Sequence, residues 1–224
     1  MKNLLAVLTI FIFIPIDEIQ AQDHLTPAMS SFGWQSRKDM LIKELLFDGD
    51  NSPIASFMIG GVSVLVLDWN RNKDNGTKYL LTHRKTTGTS ISRAYKEEIF
   101  SSEVWRTLDL AQPRVTIKEF EADISDSLAM AIRNLFKTAL SQTRMPRHIG
   151  LDGVTYTFTS GLDVGEVWYP RAGIKMYKLA KIGMALIEYT KLSPKPDSIA
   201  EQTLITQMDR LRKELKVIAP DKLE

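Results

Sequence analysis

The feature that most constrains the fold is an Asp152-Gly153 pair between two runs of alternating apolar and polar residues. Asp-Gly favours a two-residue hairpin turn, because both positions of a type I′ turn need a positive φ and glycine adopts one without strain. A turn at this pair would place Ile149 opposite Tyr156 and Arg147 opposite Phe158. It predicts an apolar face with Ile149, Leu151, Val154, Tyr156 and Phe158, and a polar face with His148, Gly150, Thr155 and Thr157.

The segment Val62–Trp69 is the strongest strand signal elsewhere in the chain. Val62, Val64 and Val66 alternate with Leu65, Leu67 and Trp69, so both faces of the strand are apolar over most of its length. Such a strand is typical of the centre of a sheet that is covered on both sides.

The remaining patterns predict an α+β fold. Its mostly antiparallel sheet would have about five strands, with helices packed on it and an amphipathic C-terminal helix. The other predicted strands are 78–83, 89–99, 115–120 and 147–158, and the predicted helices are 36–47, 126–142, 174–189 and 198–217. A loop is predicted at 161–165, and Val167 and Trp168 are predicted to be extended after it. Ser125 and Asp197 are expected N-caps, and Gly183 inside a helix predicts close packing against a neighbour.

The N-terminal residues are typical of an export signal. Lys2 precedes an apolar run that is too short to span a bilayer comfortably, and the run ends in a polar segment near Ala21. We therefore expect a signal peptide over 1–21 and a periplasmic or secreted mature protein, with no stable membrane span after cleavage. The expected remainder is a flexible lead-in at 22–35, one domain at 36–192, a proline-containing connector at 193–197 and the helix 198–218.

Charge and cysteine content narrow the classes of function. Removing residues 1–21 takes away Lys2, Asp17 and Glu18 and leaves a formal charge of +3, which is too small to indicate a nucleic-acid partner. The chain has no cysteine. Disulfides, cysteine catalysis and cysteine-bound zinc are therefore excluded.

No catalytic or cofactor motif is present. The sequence lacks a Gly-x-Ser-x-Gly elbow, a Ser-x-x-Lys pair, a His-Glu-x-x-His motif and a phosphate-binding glycine loop. We therefore expect no cofactor and no metal. A site assembled by folding would still need a titrating group near neutral pH, and in that case the catalytic candidates are His83 and His148.

A loose polar set provides the ligand-binding candidates, which are Arg84, Arg144, Arg147, His148, Thr155, Thr157 and Trp168. Arginine and histidine beside hydroxyl groups are typical of an anion site, and also of an ordinary polar sheet face. Trp168, followed by Tyr169, offers an aromatic surface for peptide or sugar, or packs against the next helix.

Three functions are compatible with these patterns. The favoured one is an exported, non-catalytic binding domain whose partner is another protein, with a small anion as a further possible ligand. The helix 198–218 would provide the contact surface, unless it packs back on its own domain. The alternatives are a hydrolase-like enzyme with a His and a carboxylate in a concave pocket, and a polyanion binder that uses Arg84, Lys85 and Arg93.

Overall fold

An antiparallel sheet of seven strands forms the centre of the described part of the chain. A computed structural model describes residues 23–28, 37–47, 53–70, 78–88, 91, 115–145, 153–192 and 197–217. The strands are β1 (Thr26–Pro27), β2 (Ala55–Ile59), β3 (Ser63–Trp69), β4 (Tyr79–Gly88), β5 (Val115–Ile124), β6 (Thr155–Ser160) and β7 (Asp163–Trp168). Their order across the sheet is β1-β7-β6-β2-β3-β4-β5, and every neighbouring pair is antiparallel.

Four helices accompany this sheet in the described ranges. They are α1 (Arg37–Phe47), α2 (Asp126–Leu140), α3 (Lys175–Leu192) and α4 (Ser198–Lys216). The predicted α+β class is confirmed, and the strand count is seven rather than about five. The strands β1 and β2 were not predicted, and of β7 only Val167 and Trp168 were predicted to be extended. The predicted strand 89–99 is not among the seven.

The sheet is apolar on both faces at β3, as its sequence predicts. Leu65 and Leu67 are buried in the main core with residues of α2, α3 and α4. Val64 points to the opposite face, where it packs in a smaller cluster with Ile42 and Leu46 of α1. Since β3 also pairs with a strand on each side, its predicted central position is confirmed.

Both predicted N-caps are present. The Ser125 hydroxyl accepts a hydrogen bond from the Leu128 backbone N–H at 3.2 Å. The Asp197 carboxylate accepts from the backbone N–H groups of Ile199 and Ala200. Each cap satisfies N–H groups that have no partner within the first helical turn.

The apolar stripe of α4 is part of the main core. Its buried residues Leu204, Met208, Leu211 and Leu215 belong to the same cluster as the buried stripe of α2. A polar contact adds to this packing, since the Gln142 side chain donates to the Leu215 carbonyl at 2.6 Å. The helix therefore packs back on its own domain.

The predicted hairpin at Asp152-Gly153 is wrong. Both edges of β6 are already occupied: Phe158 lies between Phe57 of β2 and Gly165 of β7. It cannot also pair with residue 147, which lies outside the described residues. The hairpin that forms joins β6 to β7 through a two-residue turn whose first position, Gly161, has a φ of +61°.

Several predicted boundaries also change. β4 continues to Gly88 and β5 to Ile124 because the two strands pair along ten residues, although the apolar signal stops earlier in each. Of the predicted strand 89–99 only Ile91 is described, and its backbone is helical. The predicted loop 161–165 contains the start of β7.

The lead-in prediction is wrong for residues 25–28. Leu25 and Ala28 are buried, and Thr26–Pro27 pairs with β7. The apolar side chain of Leu25 packs in the main core. The predicted signal peptide 1–21 lies outside the described residues, as does the connector 193–197 except for Asp197.

Candidate functional site

His83 lies in the middle of β4, on the face of the sheet that α3 covers. Its neighbours across the sheet are Leu65 and Phe120, and its ring stacks on Phe120 with a centroid distance of 5.6 Å. Only 1% of the residue is exposed. The Nε2 atom is 2.9 Å from the Ser63 hydroxyl oxygen, so the sheet register positions a Ser–His pair that the sequence patterns did not predict.

The surroundings of His83 favour the neutral imidazole. Burial, which is the largest cause, and the charges of Lys191 and Lys85 together lower its pKa to about 4, while Glu188 opposes them. Desolvation and nearby cations both disfavour the protonated ring. His83 is therefore uncharged near pH 7.

This geometry does not match a catalytic triad. A base with so low a pKa removes a proton from a serine inefficiently. Among the described residues the Nδ1 atom of His83 has no hydrogen-bond partner, so no carboxylate orients the ring in the way that a triad requires. The nearby Glu188 is bonded to Lys191 at 2.6 Å instead. The Ser63–His83 pair thus fixes the position of a hydroxyl group.

Arg84 and His83 do not form one site. They are adjacent in a strand and therefore point to opposite faces of the sheet. The Arg84 guanidinium lies on the face of α1, where it forms an ion pair with Glu119 and donates to the Leu46 carbonyl. Arg84 and Lys85, which the polyanion hypothesis places on one surface, therefore point to opposite faces of the sheet. Arg93, its third residue, lies outside the described residues.

Three of the predicted ligand-binding residues do lie together. Thr155 is directly opposite Trp168 in the β6–β7 ladder, and Thr157 is opposite Glu166. Registered partners and alternate residues of a strand share a face. Thr155, Thr157 and Trp168 consequently lie on one half-buried patch, on the side of the sheet away from the main core.

An exposed aromatic corner adjoins this patch, formed by Val154, Trp168 and Tyr169. Tyr169 is 62% exposed and Val154 40%, and the Tyr169 N–H donates to the Val154 carbonyl at 3.0 Å. The rings of Trp168 and Tyr169 are 6.1 Å apart. Tyr169 has a φ of +36°, and it is the one non-glycine residue of the described ranges with a positive φ.

Of the remaining predicted site residues, only Arg144 lies within the described ranges. Arg144 is exposed after α2, and its backbone N–H donates to the Leu25 carbonyl at 2.9 Å. Arg147 and His148 lie outside the described residues. In the described ranges, no three His, Asp or Glu residues are close enough to bind a metal ion. None of the helices in these ranges has the length and apolar character that crossing a bilayer requires.

Comparisons with protein-family models, curated proteins and solved structures found no match.

Proposed function

We propose that the chain is an exported, non-catalytic binding domain, and that it contacts another protein through the aromatic corner and the adjoining residues Thr155 and Thr157. The observation that carries this proposal is the conformation of Tyr169. An exposed tyrosine occupies the left-handed region of φ beside a half-buried tryptophan.

That conformation has an energetic cost in the isolated protein. A non-glycine residue in a sparsely populated backbone region costs about 1–3 kcal/mol. The exposed ring gains little burial in return, so folding alone gives no reason for a tyrosine at position 169. Protein interfaces are enriched in tyrosine and tryptophan, which bury large areas and keep a polar atom for a hydrogen bond. A partner that buries the Tyr169 ring would thus offset the energetic cost of its backbone conformation.

The threonines extend the same surface. The half-buried hydroxyl groups of Thr155 and Thr157 lie beside the Trp168 ring. Protein interfaces have a similar arrangement, in which polar groups surround a central apolar contact. The helix α4 is a weaker candidate than the sequence suggested, since its apolar stripe is already covered by α2 and α3. Export rests on the sequence of residues 1–21 and places the partner in the envelope or outside the cell.

Site-specific crosslinking tests the proposal in the native envelope. A photoreactive phenylalanine analogue at position 169 should crosslink one protein in a defined ratio. The control position is Leu162, which is 93% exposed in the turn at the opposite end of β7. Crosslinking at both positions alike would indicate non-specific contact and contradict the proposal.

Alanine variants provide the second readout. Trp168→Ala should abolish recovery of the crosslinked protein when the exported chain is purified under mild conditions. Trp69→Ala is the matched control, because Trp69 is 56% exposed but lies at the other end of the strands. Equal loss in both variants would mean that the aromatic corner is not the contact.

A further inference from the structure

A second polar cluster lies on the other face of the sheet, around the Ser63–His83 pair. We propose that Ser63, Lys85, Lys118 and Lys191 bind a small oxyanion, either a phosphate or a carboxylate group, and that His83 positions the Ser63 hydroxyl. None of these residues belongs to the aromatic corner, so the anion site is independent of the proposed protein contact.

The register of three strands brings the cluster together. Ser63 of β3 is directly opposite Lys85 of β4, and Lys85 is opposite Lys118 of β5. Cross-strand partners share a face, with Cβ atoms roughly 4.5–5.5 Å apart. Lys191 belongs to the last turn of α3. Its charge is close enough to lower the pKa of His83, which lies two residues before Lys85 in β4.

The cluster has three lysines and one nearby carboxylate, that of Glu188, so it carries an excess of positive charge. Directly opposed like charges destabilise a sheet, and among the described residues neither Lys85 nor Lys118 forms an ion pair. Lys118 lies over the Phe120 ring instead, at 4.9 Å from its centroid. The hydrogen bond from Lys191 and the charge of Lys85 both lower the pKa of Glu188, and this one carboxylate offsets only part of the positive charge. A bound anion would remove the repulsion.

Ser63 adds a directional donor to this charge. In the tautomer that carries its proton on Nε2, neutral His83 donates to the Ser63 oxygen at 2.9 Å. The serine O–H is then free to donate to an anion, and its half-buried position lets a small ligand reach it. His83 itself is covered, so it acts through Ser63 as a positioning residue. Hydrogen bonds from hydroxyl and ammonium groups are the contacts that oxyanions accept.

Titration with inorganic phosphate, with acetate and with chloride at constant ionic strength tests the site. The full mature chain, labelled with ¹⁵N, should show saturable shifts at residues 63, 83 and 85 with phosphate or with acetate. The anion that saturates at the lower concentration identifies the oxyanion class. The His83 ring shifts should report a proton on Nε2. Saturation with neither oxyanion, or an equal response to chloride, would overturn the proposal.

Variants connect the binding to the named residues. Ser63→Ala and Lys85→Gln should each raise the dissociation constant at least about fivefold, and Lys118→Gln provides an independent test if either variant folds poorly. Lys181→Gln is the matched control, since Lys181 is an exposed lysine of α3 that also lies over an aromatic ring, that of Tyr177. The same weakening in Lys181→Gln would show a general effect of charge and contradict the assignment.

Discussion

Gly183 of α3 lies directly against the ring of Phe57 of β2. A Cβ atom added to Gly183 would be 2.5 Å from both Cδ1 and Cε1 of Phe57, which is far inside van der Waals contact. The glycine thus lets α3 approach the centre of the sheet, where Phe57 is fully buried. The close packing that a mid-helix glycine predicts is confirmed at this contact.

Gly183→Ala should destabilise the protein, although alanine is the better helix former. The gain in helix propensity is about 1 kcal/mol, whereas forcing an extra methyl group into a packed core costs typically about 1–3 kcal/mol. We expect a lower free energy of unfolding in urea. In a Phe57→Leu background the same substitution should cost less, because the ring that it meets is gone. Equal costs in both backgrounds would show that the contact with Phe57 is not the cause.

Glu201 connects three helices through a single carboxylate oxygen. Buried at the start of α4, it accepts a hydrogen bond from the Tyr189 hydroxyl and one from the Ser125 backbone N–H, each at 3.1 Å. Burial, which is the largest cause, and the charge of Glu201 together raise the pKa of Tyr189 to about 12. The carboxylate therefore ties α4 to the N-terminus of α2 and to α3.

Removing this carboxylate should destabilise the docking of α4. Glu201→Ala leaves the buried Tyr189 hydroxyl without its acceptor, at a cost of about 1–3 kcal/mol, and also removes the acceptor of the half-buried Ser125 N–H. Glu201→Gln keeps an oxygen acceptor and should cost less. Hydrogen exchange of the α4 amides should accelerate more in the alanine variant than in the glutamine variant. A matched loss in both would indicate that the charge, and not the acceptor, stabilises the contact.

The sequence predicts elements well where one strong local signal decides them. The caps at Ser125 and Asp197 and the two-sided strand β3 follow from residue type and from period, so long-range contacts did not need to be known. Asp152-Gly153 was misleading because a turn signal does not specify which strand pairs with which. In the structure β2 pairs with one edge of β6 and β7 with the other.

Glycine was the other source of error. Gly165 is the last residue of the predicted loop 161–165, but it lies in β7, where a Cβ would be 2.9 Å from Leu140 and 3.1 Å from Leu25. Its role is close packing. The candidate sites show the same limit: Ser63 approaches His83 only through the β3–β4 register. Thr155, Thr157 and Trp168 were predicted individually, but only the β6–β7 pairing places them on one surface.

His83 should make stability depend on pH between about 6.5 and 4. Burial lowers its folded pKa to about 4 from an ordinary value of 6.5, so in this range the unfolded chain binds a proton that the folded chain does not. The contribution of His83 to the free energy of unfolding is therefore fully present above pH 6.5. This contribution is lost as the pH falls toward 4, by at most about 1.4 kcal/mol per pH unit.

Comparison of variants isolates this residue from the carboxylates that titrate at lower pH. His83→Phe should flatten the dependence between pH 6.5 and 5, and His24→Gln should leave the contribution of His83 in place. Urea unfolding at half-unit intervals measures both. An unchanged slope in His83→Phe would mean that His83 is protonated in the folded protein, and the burial argument would be wrong.

Substitutions of Tyr169 should affect stability and partner binding differently. Glycine adopts a positive φ without the steric cost of a Cβ, which is about 1–2 kcal/mol in the left-handed region. Tyr169→Gly and Tyr169→Ala both remove the ring, but only glycine relieves the backbone. We expect both variants to lose the crosslinked partner, and Tyr169→Gly to be about 1 kcal/mol more stable than Tyr169→Ala in urea unfolding.

Leu162→Ala, in the exposed turn of β6 and β7, should leave partner binding unchanged. Loss of binding in Tyr169→Gly without a stability advantage over Tyr169→Ala would show that the backbone at this position is unstrained, which would remove the main argument for an interface at the aromatic corner.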